Sequence, residues 1–148
     1  GQLESLFVSL MAMVGFFDEN GRPKVRFKIG GVRNGGEITA LFDTGFSGSL
    51  ALPPQYLIAV GSELVGIEPM TYADGRTSNE LLFSIKVDLD GESKSIVAHL
   101  ISGAAEPIAG NQLFYPYVVL VDFMGKKLNL VRKELFDKII EEQKRLQQ

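Results

Sequence analysis

Alternation of apolar and polar residues is the strongest constraint on how this 148-residue chain folds. It runs through four segments, residues 24–29, 81–89, 96–100 and 128–130. Because side chains along a strand point to opposite faces in turn, this pattern predicts half-buried antiparallel strands. Residues 117–122 are apolar without alternation, which predicts a more fully buried strand.

Turn signals separate these segments. Asn-Gly and Asp-Gly pairs favour the positive φ angles of tight hairpins. The signals are Glu19-Asn20-Gly21, Asn34-Gly35-Gly36, Ala73-Asp74-Gly75, Asp90-Gly91 and Gly125. Asp88-x-Asp90-Gly91 lacks the other ligands of a calcium loop, so we interpret it as a hairpin turn.

Helices are predicted in two places. Pro53-Pro54 opens a short helix that runs to about Val60, because proline suits the first helical turn. Residues 133–147 place apolar side chains mostly on one face, which predicts an amphipathic C-terminal helix. We expect its apolar stripe to pack on its own domain or to complete a dimer. The sequence therefore predicts an all-β fold, a barrel or folded sheet, with short helices and a C-terminal helix.

Composition narrows the possible partners. The formal net charge is −3, and the 15 basic residues form no stripe, so we expect no nucleic-acid partner. The chain has no cysteine and a single histidine, His99, so we expect no disulfide and no metal site. We interpret His99 as a surface or loosely packed residue.

The apolar stretch from Leu3 to Phe17 is shorter than the roughly 20 residues that span a bilayer. It also follows no basic segment, so we interpret it as part of the fold and expect no membrane association. The absence of cysteine fits a cytoplasmic location. Because the chain begins at Gly1, this expectation leaves room for an anchor upstream.

The residues with the clearest chemical potential are Asp43, Thr44 and Gly45, which follow the apolar pair Leu41-Phe42. An aspartate at the end of a buried strand is costly unless it is hydrogen-bonded or paired. Thr44 supplies a hydroxyl, and Gly45 lets backbone amides approach the carboxylate. Asp-x-Gly is also frequent in ordinary turns, so the residues by themselves leave both interpretations open.

Three segments in order resemble the retropepsin-like (clan AA) single-domain aspartic proteases, in particular a bacterial and archaeal subgroup. Residues 41–54 resemble the segment that carries the Asp-Thr-Gly signature. Ala73-Asp74-Gly75 resembles the tip of the flap, and Ile108-Ala109-Gly110 resembles the motif ahead of a short helix. The resemblance covers residues 13–131 within a single domain, 1–148, and leaves residues 133–148 as a helical extension.

The resemblance implies an aspartic endopeptidase that is active as a homodimer on peptide or protein substrates, without a cofactor or metal. Asp43 from each chain would be catalytic, Thr44 would hydrogen-bond across the dimer axis, and the Gly45 amide would support the carboxylate. The remaining site residues are implied in two groups. The substrate-binding or flap residues are Phe46, Tyr72, Ala73, Asp74 and Gly75, and the structural residues beneath the catalytic loop are Ile108, Ala109 and Gly110. Phe46 is larger than the alanine usual in retroviral enzymes, so we expect it to narrow the site.

Two functions are alternatives to aspartic proteolysis, a serine hydrolase and a non-catalytic module. Gly45-Phe46-Ser47-Gly48-Ser49 fails the Gly-x-Ser-x-Gly pattern of serine hydrolases at its last position, and His99 is distant in sequence. The stronger rival is a retropepsin fold that serves as a non-catalytic binding or assembly module, since fold does not fix function.

Overall fold

The computed structural model describes residues 1–2, 11–103 and 106–148. The strands are β1 (Met11–Phe17), β2 (Pro23–Gly30), β3 (Gly35–Phe42), β4 (Leu50–Leu52), β5 (Glu63–Thr71), β6 (Thr77–Leu89), β7 (Glu92–Leu100), β8 (Ile108–Ala109), β9 (Tyr117–Asp122) and β10 (Lys127–Arg132). The helices after β1 are α1 (Pro54–Val60), α2 (Asn111–Phe114) and α3 (Lys133–Leu146). The expectation that the stretch from Leu3 to Phe17 belongs to the fold is met by β1, while residues 3–10 lie outside the described residues.

The strands form one sheet in the order β5-β6-β7-β4-β8-β3-β2-β1-β10-β9. The long strand β6 also pairs with β2, through the register Ile29 opposite Val87. Because β6 thereby joins two distant parts of the sheet, the sheet folds over on itself. This arrangement confirms the predicted all-β folded sheet with short helices and a C-terminal helix.

The core lies inside this fold. Most inward residues of the alternating segments are buried as predicted, and these are Val25, Phe27, Ile29, Ile85, Val87, Leu89, Ala98, Leu128 and Leu130. The others, Leu81, Phe83, Ile96 and Leu100, are half-buried. Leu50, Leu52 and Leu113 join the same cluster. Strand β4 and helix α2, which flank the Asp43 segment in space, are therefore anchored by core side chains.

Four of the five predicted turns are confirmed. At the fifth, the turn lies at residues 31–34, and Gly35 and Gly36 already belong to β3 without a positive φ angle. Asp90 and Gly91 join β6 to β7 with φ angles of 54° and 75°, the two positive values that a tight hairpin needs. Gly125 and Lys126 join β9 to β10, and the Gly125 amide donates to the Asp122 carboxylate at 2.8 Å.

Strand β9 corrects one prediction. Residues 117–122 form a strand, but none of them is fully buried and the Val121 side chain is 39% exposed. The reason is topological, because among the described strands β9 lies at the edge of the sheet and pairs with β10 alone. A continuous apolar run does not distinguish such an edge strand from a central one.

Helix α3 lies against β9 and β10. The Lys133 amide begins the helix by donating to the Pro116 carbonyl at 3.1 Å. No residue of α3 is fully buried, and Ile140 and Leu146 are exposed. The apolar stripe is therefore only partly covered by the described residues of this chain.

Candidate active site

The Asp43 loop leaves the sheet where β3 ends at Phe42. The Asp43 amide donates to the Ala109 carbonyl at 3.0 Å, and the Phe46 amide donates to the Asp43 carbonyl at 3.2 Å. The Gly45 amide donates to the Asp43 carboxylate at 2.8 Å. The backbone of the loop thus fixes where the carboxylate lies and supplies one of its hydrogen bonds.

Strand β8 holds this loop from one side. It pairs in parallel with β3, with Ile108 opposite Leu41, and antiparallel with β4, with Ala109 opposite Leu50. Ala109 is completely buried. The segment resembling the third family motif therefore lies between the strand that precedes Asp43 and the strand that follows it.

Gly110 allows the closest approach in this region. A Cβ atom at this position would lie 2.4 Å from the Gly48 carbonyl oxygen and 2.6 Å from the Phe46 carbonyl oxygen. The Gly110 amide donates to the Ser49 carbonyl at 2.9 Å, and the Asn111 amide donates to the Phe46 carbonyl at 2.9 Å. Residues 43–49 are therefore packed backbone to backbone against the start of α2.

The outer surface of the loop is open. Thr44 and Gly45 are exposed, and Asp43 is half-buried. The Thr44 hydroxyl has no hydrogen-bond partner among the described residues. The tip of the Asp-Thr-Gly segment is therefore accessible to a second molecule, whereas its base is held by the sheet.

A cleft of about 400 Å³ begins beside this tip. Residues 45–49 form one wall, and the opposite wall comes from β5, β6 and β7 through Glu68, Pro69, Met70, Glu80, Val97 and His99. Phe46 lines the cleft, and its ring narrows the space above Gly48. Asp43 itself is not among the lining residues of the single chain.

His99 corrects a second prediction. Its side chain is only 15% exposed, and its Nδ1 atom lies 2.8 Å from the Glu80 carboxylate. The ring also meets the Phe46 ring edge-on, with 5.5 Å between centroids. The sequence analysis interpreted His99 as a surface or loosely packed residue. Strand pairing places it in the cleft wall instead, since β7 lies beside β6.

The predicted flap residues form a hairpin tip between β5 and β6. The Tyr72 amide donates to the Arg76 carbonyl at 2.8 Å, and Gly75 has a φ angle of 85°. The Asp74 carboxylate accepts from the Arg76 amide and guanidinium at 3.0 and 2.6 Å. Residues 72–75 are exposed and do not line the cleft, whereas the strands that support them do.

The residues of the serine hydrolase alternative lie near each other but make no catalytic contact. Ser47, Ser49 and His99 line the same cleft, so His99 is distant only in sequence. No hydrogen bond joins His99 to either serine, although all of these residues are among those described. The geometry thus lacks the serine–histidine pair that activates a hydroxyl nucleophile.

In residues 1–2, 11–103 and 106–148, no three His, Asp or Glu side chains converge closely enough to hold a metal ion. Over the same ranges, no helix has the length and apolar character needed to cross a membrane.

Of the comparisons with known proteins, the one with solved structures supports the predicted fold. Neither the family models nor the curated protein sequences contain a match to this chain. Among solved structures, the chain is similar to a retropepsin-like aspartic protease from Rickettsia conorii, with a TM-score of 0.56 and 17% identity. The superposition covers 80% of this chain and 88% of that one. At this identity the likeness confirms the all-β retropepsin-like fold, and the fold alone.

Proposed function

We propose that this protein is an aspartic endopeptidase in which two copies of the chain bring two Asp43 carboxylates together. The observation that supports this most is the Asp43 loop, with a carboxylate held by the Gly45 amide and an exposed tip beside a cleft. The retropepsin-like fold supports the same activity.

A second copy is required by the chemistry. Peptide hydrolysis of this type uses two carboxylates that share one proton, because like charges held so close do not both ionise. The chain contains a single Asp-Thr-Gly segment. A two-fold axis beside Thr44 would supply the second carboxylate from the partner, and the exposure of Thr44 and Gly45 leaves room for it.

The roles of the groups follow from this pairing. The ionised carboxylate would take a proton from a bound water, which attacks the scissile carbonyl. The protonated carboxylate would donate its proton to the carbonyl oxygen. As the C–N bond breaks, the first carboxylate would pass the proton taken from water to the leaving amine, and the second would regain its proton from the hydroxyl of the intermediate. Residues 72–75 would close over the substrate as a flap and exclude water.

The test is cleavage of a diverse peptide library from acidic to neutral pH, with the Asp43→Asn chain as the matched control. We expect the natural chain to cleave and the variant to be inactive, while both keep the same fold and oligomeric state. Asparagine keeps the size and an acceptor for the Gly45 amide but removes the ionisable group. Cleavage that persists in the variant would overturn the proposal. A folded dimer that cuts nothing would favour the non-catalytic binding module.

A further inference from the structure

The cleft wall opposite the Asp43 loop carries an unusual arrangement of charge. Glu68 on β5 lies directly opposite Glu80 on β6. His99 on β7 lies opposite Leu82, two residues along β6 from Glu80 and so on the same face. Two carboxylates and one imidazole therefore form a row across three neighbouring strands. Like charges directly opposite on a sheet repel each other, so a positive charge beside the row would stabilise it.

Within the described chain, His99 is the one partner of these two carboxylates. A carboxylate only accepts hydrogen bonds, so Nδ1 of His99 must donate to Glu80. Glu80 is 14% exposed and receives no other hydrogen bond from a described residue, and Glu68 has no ion pair with one. Among the described residues that line the cleft, two glutamates outnumber the single histidine, so the cleft is acidic. No Lys or Arg is among the described residues that line it.

The shape and the apolar parts of the cleft indicate what would occupy it. Pro69, Met70 and Val97 offer apolar surface along the wall, and the Phe46 ring lies across from them. Long basic side chains pack a hydrocarbon stem on such surface and carry a charged end that aromatic rings and carboxylates attract. The three polar groups do not converge as metal ligands would. They are instead spread along a wall, as the donors of an extended cation require.

We propose that Glu68, Glu80 and His99 form a substrate subsite that selects a lysine or arginine side chain of the peptide. Glu80 is the central acceptor, His99 holds its carboxylate in place, and Glu68 adds the second negative charge at the open rim. This inference rests on the proposed protease function and specifies its substrate class.

The test uses peptides in which each position in turn is Lys, Arg, norleucine or Glu. We expect kcat/KM at one position to be higher for Lys or Arg than for norleucine by about tenfold, the factor that one hydrogen bond to a charged group supplies. Glu80→Gln keeps an acceptor for His99 but removes the charge, so it should lower this Lys-to-norleucine ratio about tenfold. Glu68→Gln should lower the ratio by a smaller factor. Glu37→Gln, on the exposed end of β3 outside the cleft, is the matched control and should keep the natural ratio.

The result that would overturn the subsite is Asp43-dependent cleavage without a basic preference, or a preference that survives in the Glu68→Gln/Glu80→Gln double variant. Failure of the protease proposal is a different result, namely no cleavage of any peptide. In that case the same peptides are titrated against the Asp43→Asn chain by fluorescence anisotropy. Tighter binding of Lys peptides than of norleucine peptides, lost in the double variant, would support the subsite. Equal binding, or none, would overturn it.

Discussion

The Asp43 loop and the β5–β6 hairpin face each other across the cleft but are held in opposite ways. The loop is hydrogen-bonded to β8 and to the start of α2, and it is followed by the fully buried strand β4. The hairpin tip is exposed on both strands, and its contacts are within itself. Elements with few buried contacts open locally at a low free-energy cost, while core-anchored elements do not. Under the proposed function, the chemistry would lie on the rigid side, the Asp43 loop, and substrate access would depend on the mobile side, the hairpin tip.

The rigid side is tested most strongly at Gly110. Gly110→Ala would bring a methyl group against two carbonyl oxygens at 2.4 and 2.6 Å, and neither is a movable side-chain end. We expect a loss of roughly 1–3 kcal/mol in the free energy of unfolding, the usual cost of overpacking. Urea denaturation measures it. Gly36→Ala is the control, because its Cβ would meet nothing within 4 Å. Equal midpoints for the two variants would contradict the account of the loop.

A smaller effect is expected at Lys24, which pairs with Glu106 two residues before β8. Its side chain is 7% exposed and pairs with Glu106 and, at 3.6 Å, with Asp18. Glu106 precedes Pro107, whose carbonyl accepts from the Leu41 amide at 2.9 Å. Lys24→Met should cost about 1–2 kcal/mol, less than a fully buried pair because both carboxylates reach solvent.

Thermal or urea unfolding of Lys24→Met is compared with that of Lys133→Met. Lys133 pairs with Asp137 on the surface of α3, where both side chains are half exposed. Such pairs contribute about 0–1 kcal/mol. A Lys24 variant no less stable than the Lys133 variant would show that the ion pair does not brace β8.

A substitution on the mobile side should lower peptide cleavage but leave the free energy of unfolding nearly unchanged. Tyr72 is 45% exposed and its hydroxyl lies 3.1 Å from the Ser78 hydroxyl. Tyr72→Ala should change the free energy of unfolding by less than about 0.5 kcal/mol, as surface substitutions do. If the hairpin closes over substrate, kcat/KM should still fall clearly. Tyr115→Ala, at an 88% exposed position outside the cleft, should leave kcat/KM unchanged.

The smallest effect is a pH dependence at Asp18, in the turn before β2. Hydrogen bonding from the Arg22 amide is the main cause that holds the pKa of Asp18 below its ordinary value of 3.8, with smaller help from the Asn20 amide and the Arg22 charge, against some desolvation. A carboxyl whose pKa is lowered on folding stabilises the fold above its unfolded pKa, and this contribution is lost as pH falls. From pH 6 down to pH 3, the free energy of unfolding should therefore fall less steeply for Asp18→Asn than for the natural chain. Parallel curves would contradict this.

Local patterns predicted half of the ten strands and helix α1, because these elements depend on neighbouring residues, whereas β5 was not predicted. Alternation located β2, β6, β7 and β10, and paired prolines located the start of α1 at Pro54. The position of β9 at an edge depends on strand order, which alternation does not encode. The insertion of the two-residue strand β8 between β3 and β4 was visible only as a family motif.

The part of the site formed by consecutive residues could be predicted from the sequence. The part formed by residues on different strands could not, because it depends on how those strands are paired. Asp43, Thr44 and Gly45 are adjacent in the chain, so their pattern is visible directly. The pairing of His99 with Glu80 spans 19 positions and depends on which residues of β6 and β7 lie opposite each other. A shift of one residue in either strand would turn that strand's side chain to the opposite face and break the pair.

The central claim is that one active site needs Asp43 from two chains. The direct test is to unfold and refold the natural and Asp43→Asn chains together in varying proportions and to measure peptide cleavage at constant total protein. If both carboxylates are needed, activity follows the square of the natural fraction, and an equal mixture keeps roughly a quarter of the full rate, because random pairing leaves only that share of dimers intact. Activity that instead falls in direct proportion to the natural fraction would contradict the shared site.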